Sequence, residues 1–217
     1  MAVRARILVA CSFVAALAAA TGFSSRAASD VPVVRQVLRN NCETAALSMI
    51  LASRGVHIDQ LRLQRELPRS GPLDPSSRSD GTLIWGDPDQ GFVGRASGGG
   101  SHGGYGVYTT PIKALAARYG VKLVSLNRRP PSLLYRRLAQ GRPVLAWLGL
   151  SYGPYLRWRT PAGKVIVGNF GEHTVVLTGS RGDAVYLNDP LTGRRLTWNR
   201  RTFEAMWARL GSRALGA

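Results

Sequence analysis

The sequence predicts a single α+β domain with an N-terminal helix packed on a mostly antiparallel sheet. Two observations carry this reading. Helical periodicity dominates the early part of the chain and strand-like apolar runs the later part, an order typical of α+β layers. In addition, Thr174-Val175-Val176-Leu177 and Ala184-Val185-Tyr186-Leu187 flank the turn-forming group Ser180-Arg181-Gly182-Asp183 and read as an antiparallel hairpin. No internal repeat is visible.

The first segment reads as an export signal. Arg4 and Arg6 precede an uncharged, largely apolar stretch from Ile7 to Ala20, and small residues at Ala18-Ala19-Ala20 and at Ser25-Arg26-Ala27 offer two cleavage sites. The stretch is shorter than the roughly 20 residues of a spanning helix. Leu8-Val9-Ala10-Cys11 resembles a lipobox, but most of the apolar core follows the cysteine, so lipidation is the minor reading. Residues 1–28 are therefore assigned to a signal peptide and linker, and residues 29–217 to the exported domain, secreted or associated with the cell envelope. That length is enough for a core without covalent staples.

Along the domain, Ala45, Met49 and Ala52 with Ala46, Ile50 and Ser53 recur at helical spacing. Asn40 or Asn41 can cap this helix, Glu43 suits its first turn and Gly55 ends it. A short helix is expected over 59–67 before Pro68. Residues 69–109 are rich in Gly, Ser, Pro and Asp, including Gly98-Gly99-Gly100 and Gly103-Gly104, and read as a long irregular loop. Thr110-Pro111 opens a helix that Gly120 stops, and Pro131-Ser132 another to about Gln140. Strands are expected over 121–126, 143–150, 164–167, 174–178, 184–188 and 194–198, with Asn199 capping a closing helix through Trp207.

The formal charge of +17 comes almost wholly from arginine, since Lys113, Lys122 and Lys164 are the only lysines. The arginines are scattered and no basic run is interleaved with aromatics, which argues against specific nucleic-acid binding. A solvated basic surface with weak, salt-sensitive attraction to anionic cell-wall polymers or membrane headgroups is the expectation. No feature specifies an oligomeric state.

After export, Cys42 is the only cysteine left, so no internal disulfide can form. It falls where a helix starts, where the helix dipole favours a thiolate. With Arg181 at the centre of the hairpin turn, Leu177 faces Val185, Val175 faces Leu187, and His173 faces Asp189. Directly opposed side chains have Cβ atoms about 4.5–5.5 Å apart, within reach of an imidazole–carboxylate bond. These residues make a candidate thiol site: Cys42 attacks, His173 moves the proton, and Asp189 fixes the ring. Gln36, six positions before Cys42, is the candidate oxyanion donor together with the Cys42 N–H.

Several residues have plainer readings. Asp189-Pro190 also suits a turn, compatibly with the site role. His102 reads as an exposed loop histidine and His57 has no evident partner. Cys42, His173 and Asp189 lack the paired spacing of a zinc site, so neither metal nor cofactor is expected. Trp85, Tyr105 and Tyr108 are candidate lining of a substrate cleft.

The segment QVLRNNCETAALSM, Gln36 to Met49, resembles the active-site segment of cysteine peptidase family 39, the bacteriocin-leader-processing type of the papain-like clan. GDPDQGFVG, GYGVYTTPI, GRPVLAW, GEHTVVLTG and YLNDPLTG follow in the order of its stand-alone exported members. The resemblance implies a papain-like fold with Cys42 as nucleophile, His173 as base, Asp189 as orienting acid and Gln36 as oxyanion donor, acting on peptides or proteins. Glu43 stands where transporter-linked members often have Gly, and no transporter portion is present, so Gly-Gly leader cleavage is not implied. The alternatives are acyl or amide transfer by the same thiol, and an inactive module that binds the cell envelope.

Overall fold

The computed structural model describes residues 31–99, 103–151, 155–169 and 171–217. Residues 1–28, expected from the sequence to be a signal peptide and linker, and His102 lie outside them. Five helices and twelve strands follow in the order α1 (Cys42–Ala52), α2 (Gln60–Glu66), β1 (Ser76–Ser77), β2 (Leu83–Ile84), β3 (Val93–Gly94), β4 (Gly104–Gly106), α3 (Thr109–Arg118), β5 (Val124–Ser125), α4 (Pro131–Ala139), β6 (Val144–Gly149), β7 (Tyr155–Arg159), β8 (Val165–Asn169), β9 (Glu172–Arg181), β10 (Ala184–Asp189), β11 (Arg194–Asn199), α5 (Arg200–Ala208) and β12 (Ala214–Gly216). The main sheet has the order β11-β10-β9-β6-β12-β5, antiparallel at every pairing. The predicted α+β architecture is the observed one.

Alternation along β9 builds a core on each side of this sheet. Val176 with Leu145, Trp147 and Leu215 faces the cluster that holds α1, while Val175 and Leu177 join Val185, Leu187, Phe203 and Trp207 on the other side. Helix α1 is buried along its whole length from Cys42 to Leu51. Each fully buried large apolar side chain there, such as Leu47 or Ile50, contributes about 1.5–3 kcal/mol relative to exposure. That burial fixes the helix, and so the position of its first residue.

The segment expected as a loop over 69–109 carries four short strands and part of the core. Its Trp85, Phe92, Val93 and Tyr105 are all buried, and Trp158 of β7 meets both Trp85 and Tyr105 edge-on at 5.7 and 4.9 Å. Glycine composition conceals this because the glycines serve close approach. A Cβ on Gly86 would sit 2.0 Å from the Ser70 carbonyl oxygen, so only Gly lets these backbones touch. Strand β7 and the C-terminal β12, which inserts between β6 and β5, have no counterpart among the predicted elements. Only Val124–Ser125 of the strand expected over 121–126 is formed.

The β9–β10 hairpin differs from the predicted register. Arg181 pairs with Ala184 and Val185 with Ser180, so the turn holds only Gly182 and Asp183, and Gly182 has φ +54. Between Tyr186 and Leu187 the register shifts, because Thr178 bulges and Leu187 meets Leu177. Direct opposition of His173 to Asp189, Leu177 to Val185 and Val175 to Leu187 is therefore corrected. Continued one step, the observed register sets Asp189 opposite Val175, and His173 becomes its diagonal neighbour. Diagonal partners on one face lie about 7–8 Å apart, still within reach of an imidazole.

Candidate active site

Cys42 is the first residue of α1, with Asn41 in the capping position. The Asn41 side chain makes no capping bond. Instead its Oδ1 accepts from Leu38 N–H at 2.9 Å and its Nδ2 donates to Gln60 Oε1 at 2.8 Å. This ties the loop before Cys42 to α2. Asn40 performs the matching task toward the Gly-rich segment, donating to the carbonyls of Arg95 and Gly98 at 3.2 and 2.7 Å. As the first residue of a helix, Cys42 has a backbone N–H with no acceptor inside the helix, which leaves a donor beside the thiol.

His173 and Asp189 meet. His173 Nε2 lies 2.6 Å from Asp189 Oδ1, with both residues 6% exposed. Leu191 N–H also donates to Oδ1 at 2.9 Å, and Thr192 Oγ1–H to Oδ2 at 2.8 Å. Burial raises the Asp189 pKa, but the bonds and charge of His173, with the Thr192 and Leu191 bonds, outweigh it and hold the carboxylate below its ordinary range. Because Nε2 is the nitrogen engaged by Asp189, Nδ1 is the one left to exchange a proton with a thiol. The turn role of Asp189-Pro190 coexists with this, since the Leu191 bond is an Asx turn.

Cys42 and His173 line one cavity of about 630 Å³, together with Gln36, Arg39, Trp85, Tyr105, Leu191 and the glycine walls at 98, 99, 103, 104 and 171. Of the three aromatic candidates, Trp85 and Tyr105 border this cavity. Tyr108 does not: it lies behind Tyr105, joined to it through their hydroxyls at 2.6 Å, with the Arg213 guanidinium 3.8 Å from its ring centre. Gln36 also borders the cavity, but its Nε2 donates to the carbonyls of Leu38 and Arg39 at 3.0 and 2.9 Å. Both amide hydrogens are thus engaged within the loop, while the buried Oε1 has no partner. His57 lines a separate depression beside α2.

The thiol itself has an unexpected neighbour. Cys42 Sγ donates to Glu43 Oε2 at 3.5 Å, and Glu43 Oε1 accepts from Val107 N–H at 2.6 Å. The Cys42 sulfur and a carboxyl oxygen from each of Glu43 and Glu172 lie within 4.8 Å of one another. Burial, then the carboxyls of Glu43 and Glu172, push the Cys42 thiol well above its ordinary pKa, against a bond from Thr174 N–H. Burial also raises Glu43 to about 7. Glu172 is raised well above its usual range, by burial and then by Glu43. Glu172 was not singled out from the sequence. Its signal was a carboxylate inside the apolar run EHTVVL, where an unpaired charge is seldom buried.

The family named Peptidase_C39 like matches residues 28–215. Uncharacterized protein YvpB of Bacillus subtilis (strain 168) is 34% identical over 182 residues, covering 82% of this chain and 69% of its own length. The crystal structure of a C39-like protein from Bacillus anthracis superposes with a TM-score of 0.74 at 31% identity, covering 86% of this chain and 94% of that one. An α+β fold of papain-like type with a cysteine heading its central helix defines the class. Within it, the chain belongs to the Peptidase_C39-like family.

Proposed function

We propose that this protein is an exported cysteine peptidase that hydrolyses peptide bonds through Cys42, His173 and Asp189 and a thioester acyl-enzyme. The observation that carries the reading is the 2.6 Å His173–Asp189 bond at the wall of the cavity that Cys42 also lines. Substrate docks in that cavity and His173 Nδ1 takes the thiol proton. Sγ then attacks the peptide carbonyl, and the imidazolium returns the proton to the leaving amine. Water, activated by the same ring, releases the acyl group. The Cys42 backbone N–H is the donor best placed for the developing oxyanion, and Gln36 joins it once one of its loop bonds is exchanged for substrate. Asp189 orients the ring and stabilises its charged form. The charged n-region and apolar stretch before residue 21 support export.

The test is to recover the protein from the medium, sequence its N-terminus, and incubate it and its Cys42→Ala form with a diverse peptide pool. The mature chain is expected to start near residue 21 or 28, with new peptide termini only in the presence of Cys42. Identical termini from both forms would sink the peptidase reading.

A further inference from the structure

Glu43 and Glu172 meet at the inner wall of the cavity that Cys42 lines, with Glu172 bordering the cavity itself, and among the described residues neither carboxyl makes an ion pair. Glu43 is wholly buried on α1, and Glu172 starts β9 on the face opposite His173, where its Oε1 accepts from Thr174 Oγ1 at 3.4 Å. The space between them is closed by Gly106, whose Cβ, were it present, would lie 2.3 Å from Glu43 Oε1 and 2.9 Å from Glu172 Oε2. Cys42 faces the pair from α1, and Tyr105 and Tyr108 from β4 and the residues after it. Arg213, beyond Tyr108, lies over that ring and pairs with Asp89 at 3.0 Å, and Arg39 lines the same cavity as Glu172. Two carboxyls this close in low dielectric cannot both ionise without a large penalty, so they titrate as one unit.

We propose that this carboxyl pair governs the nucleophile: while it carries a negative charge it holds Cys42 as a neutral thiol, and when fully protonated it releases Cys42 to form the ion pair with His173. The inference rests on Cys42 being the nucleophile. The chemistry balances simply. One proton from solvent neutralises the pair, and the Cys42 S–H proton passes to His173 Nδ1, leaving thiolate and imidazolium. A protonated Glu43 then donates a hydrogen bond to the thiolate where an ionised Glu43 would repel it. Asp189, with its depressed pKa, stays charged in the same range and keeps the imidazolium stable. Glu43, wholly buried, is a positioning residue that acts on substrate through sulfur, while Glu172 also borders the cavity.

Alkylation of Cys42 by iodoacetamide, followed by mass spectrometry, reports the thiolate without any substrate. In the wild-type protein the rate is expected to fall as the pH rises through about 7, where Glu43 ionises, opposite to an ordinary thiol. Glu43→Gln keeps an acceptor for Val107 N–H and a donor toward sulfur, so the fall should vanish and the rate at about pH 8 should rise by about ten-fold. A wild-type rate that only climbs between about pH 5 and pH 9, as a free thiol's does, overturns the proposal, as does a Glu43→Gln profile that keeps the wild-type decline. The wild-type profile decides alone if the variant does not fold. Because no peptide is cleaved in this measurement, its failure is distinct from failure of the peptidase reading.

Discussion

Asp189 Oδ1 accepts both the His173 imidazole and the Leu191 N–H, and Thr192 bonds Oδ2, so its orientation is set by the chain. Asp189→Asn preserves the oxygen that faces Nε2 and can turn its amide toward Thr192 Oγ1. Orientation then survives while the charge is lost, and peptide turnover is expected to fall by about ten-fold or less. Asp189→Ala loses both, and a fall of about 10²–10⁴ is expected, the range for a mispositioned acid–base group. Steady-state kinetics on the two variants checks the order. Equal losses would mean that charge, and not aim, is what Asp189 supplies. At this scale the residue types were readable from the sequence. The partners of Gln36 and the Glu43–Glu172 contact were not, because both depend on loop and face placement that no local pattern encodes.

At the scale of elements, the hairpin shows why a right pair can follow from a wrong register. Counting from a three-residue turn set His173 against Asp189 directly, whereas the chain uses a two-residue turn and a bulge at Thr178. The turn alone would place Asp189 opposite Val176, on the face that meets α1 and away from His173. The bulge adds one residue to β9 and returns Asp189 to the His173 face. Because Thr178 is the extra residue, deleting it should give a regular ladder that still sets Asp189 opposite Val175 and keeps the imidazole–carboxylate bond. The expected outcome is survival of the low-field ring N–H resonance in proton NMR, with His173→Gln identifying that signal. Its loss in the deletion would show that the bulge itself, and not the register it produces, holds the pair together. Helices were legible nearly to the residue, since Asp59 and Asn199 cap α2 and α5 with side-chain bonds. Strands β7 and β12 were not, because their partners are remote and their pattern is short.

For the molecule as a whole, the buried carboxyls set opposing pH demands on folding. Asp189 is depressed in the fold, so its contribution is complete above its unfolded pKa near 3.8 and is lost as the pH falls through the folded value. Glu43 is raised from 4.5 to about 7 and Glu172 is also raised well above its ordinary range, so the folded state holds protons that the unfolded chain has released. Their cost is absent below about pH 4.5 and grows as the pH rises from there through about 7. Stability should consequently peak in weak acid, between these windows, rather than at the very alkaline isoelectric point near 11.3. The general self-repulsion of a chain with net charge +17 adds to the acid side and is screened by salt, whereas the buried pair is not. Thermal unfolding at moderate salt is therefore expected to give a Tm that declines from about pH 5 to pH 8 in the wild type. The decline should flatten in the Glu43→Gln, Glu172→Gln double variant, which cannot ionise at either site. An equal decline in both proteins would place the cost of high pH elsewhere in the fold and remove the energetic basis for a charged pair beneath Cys42.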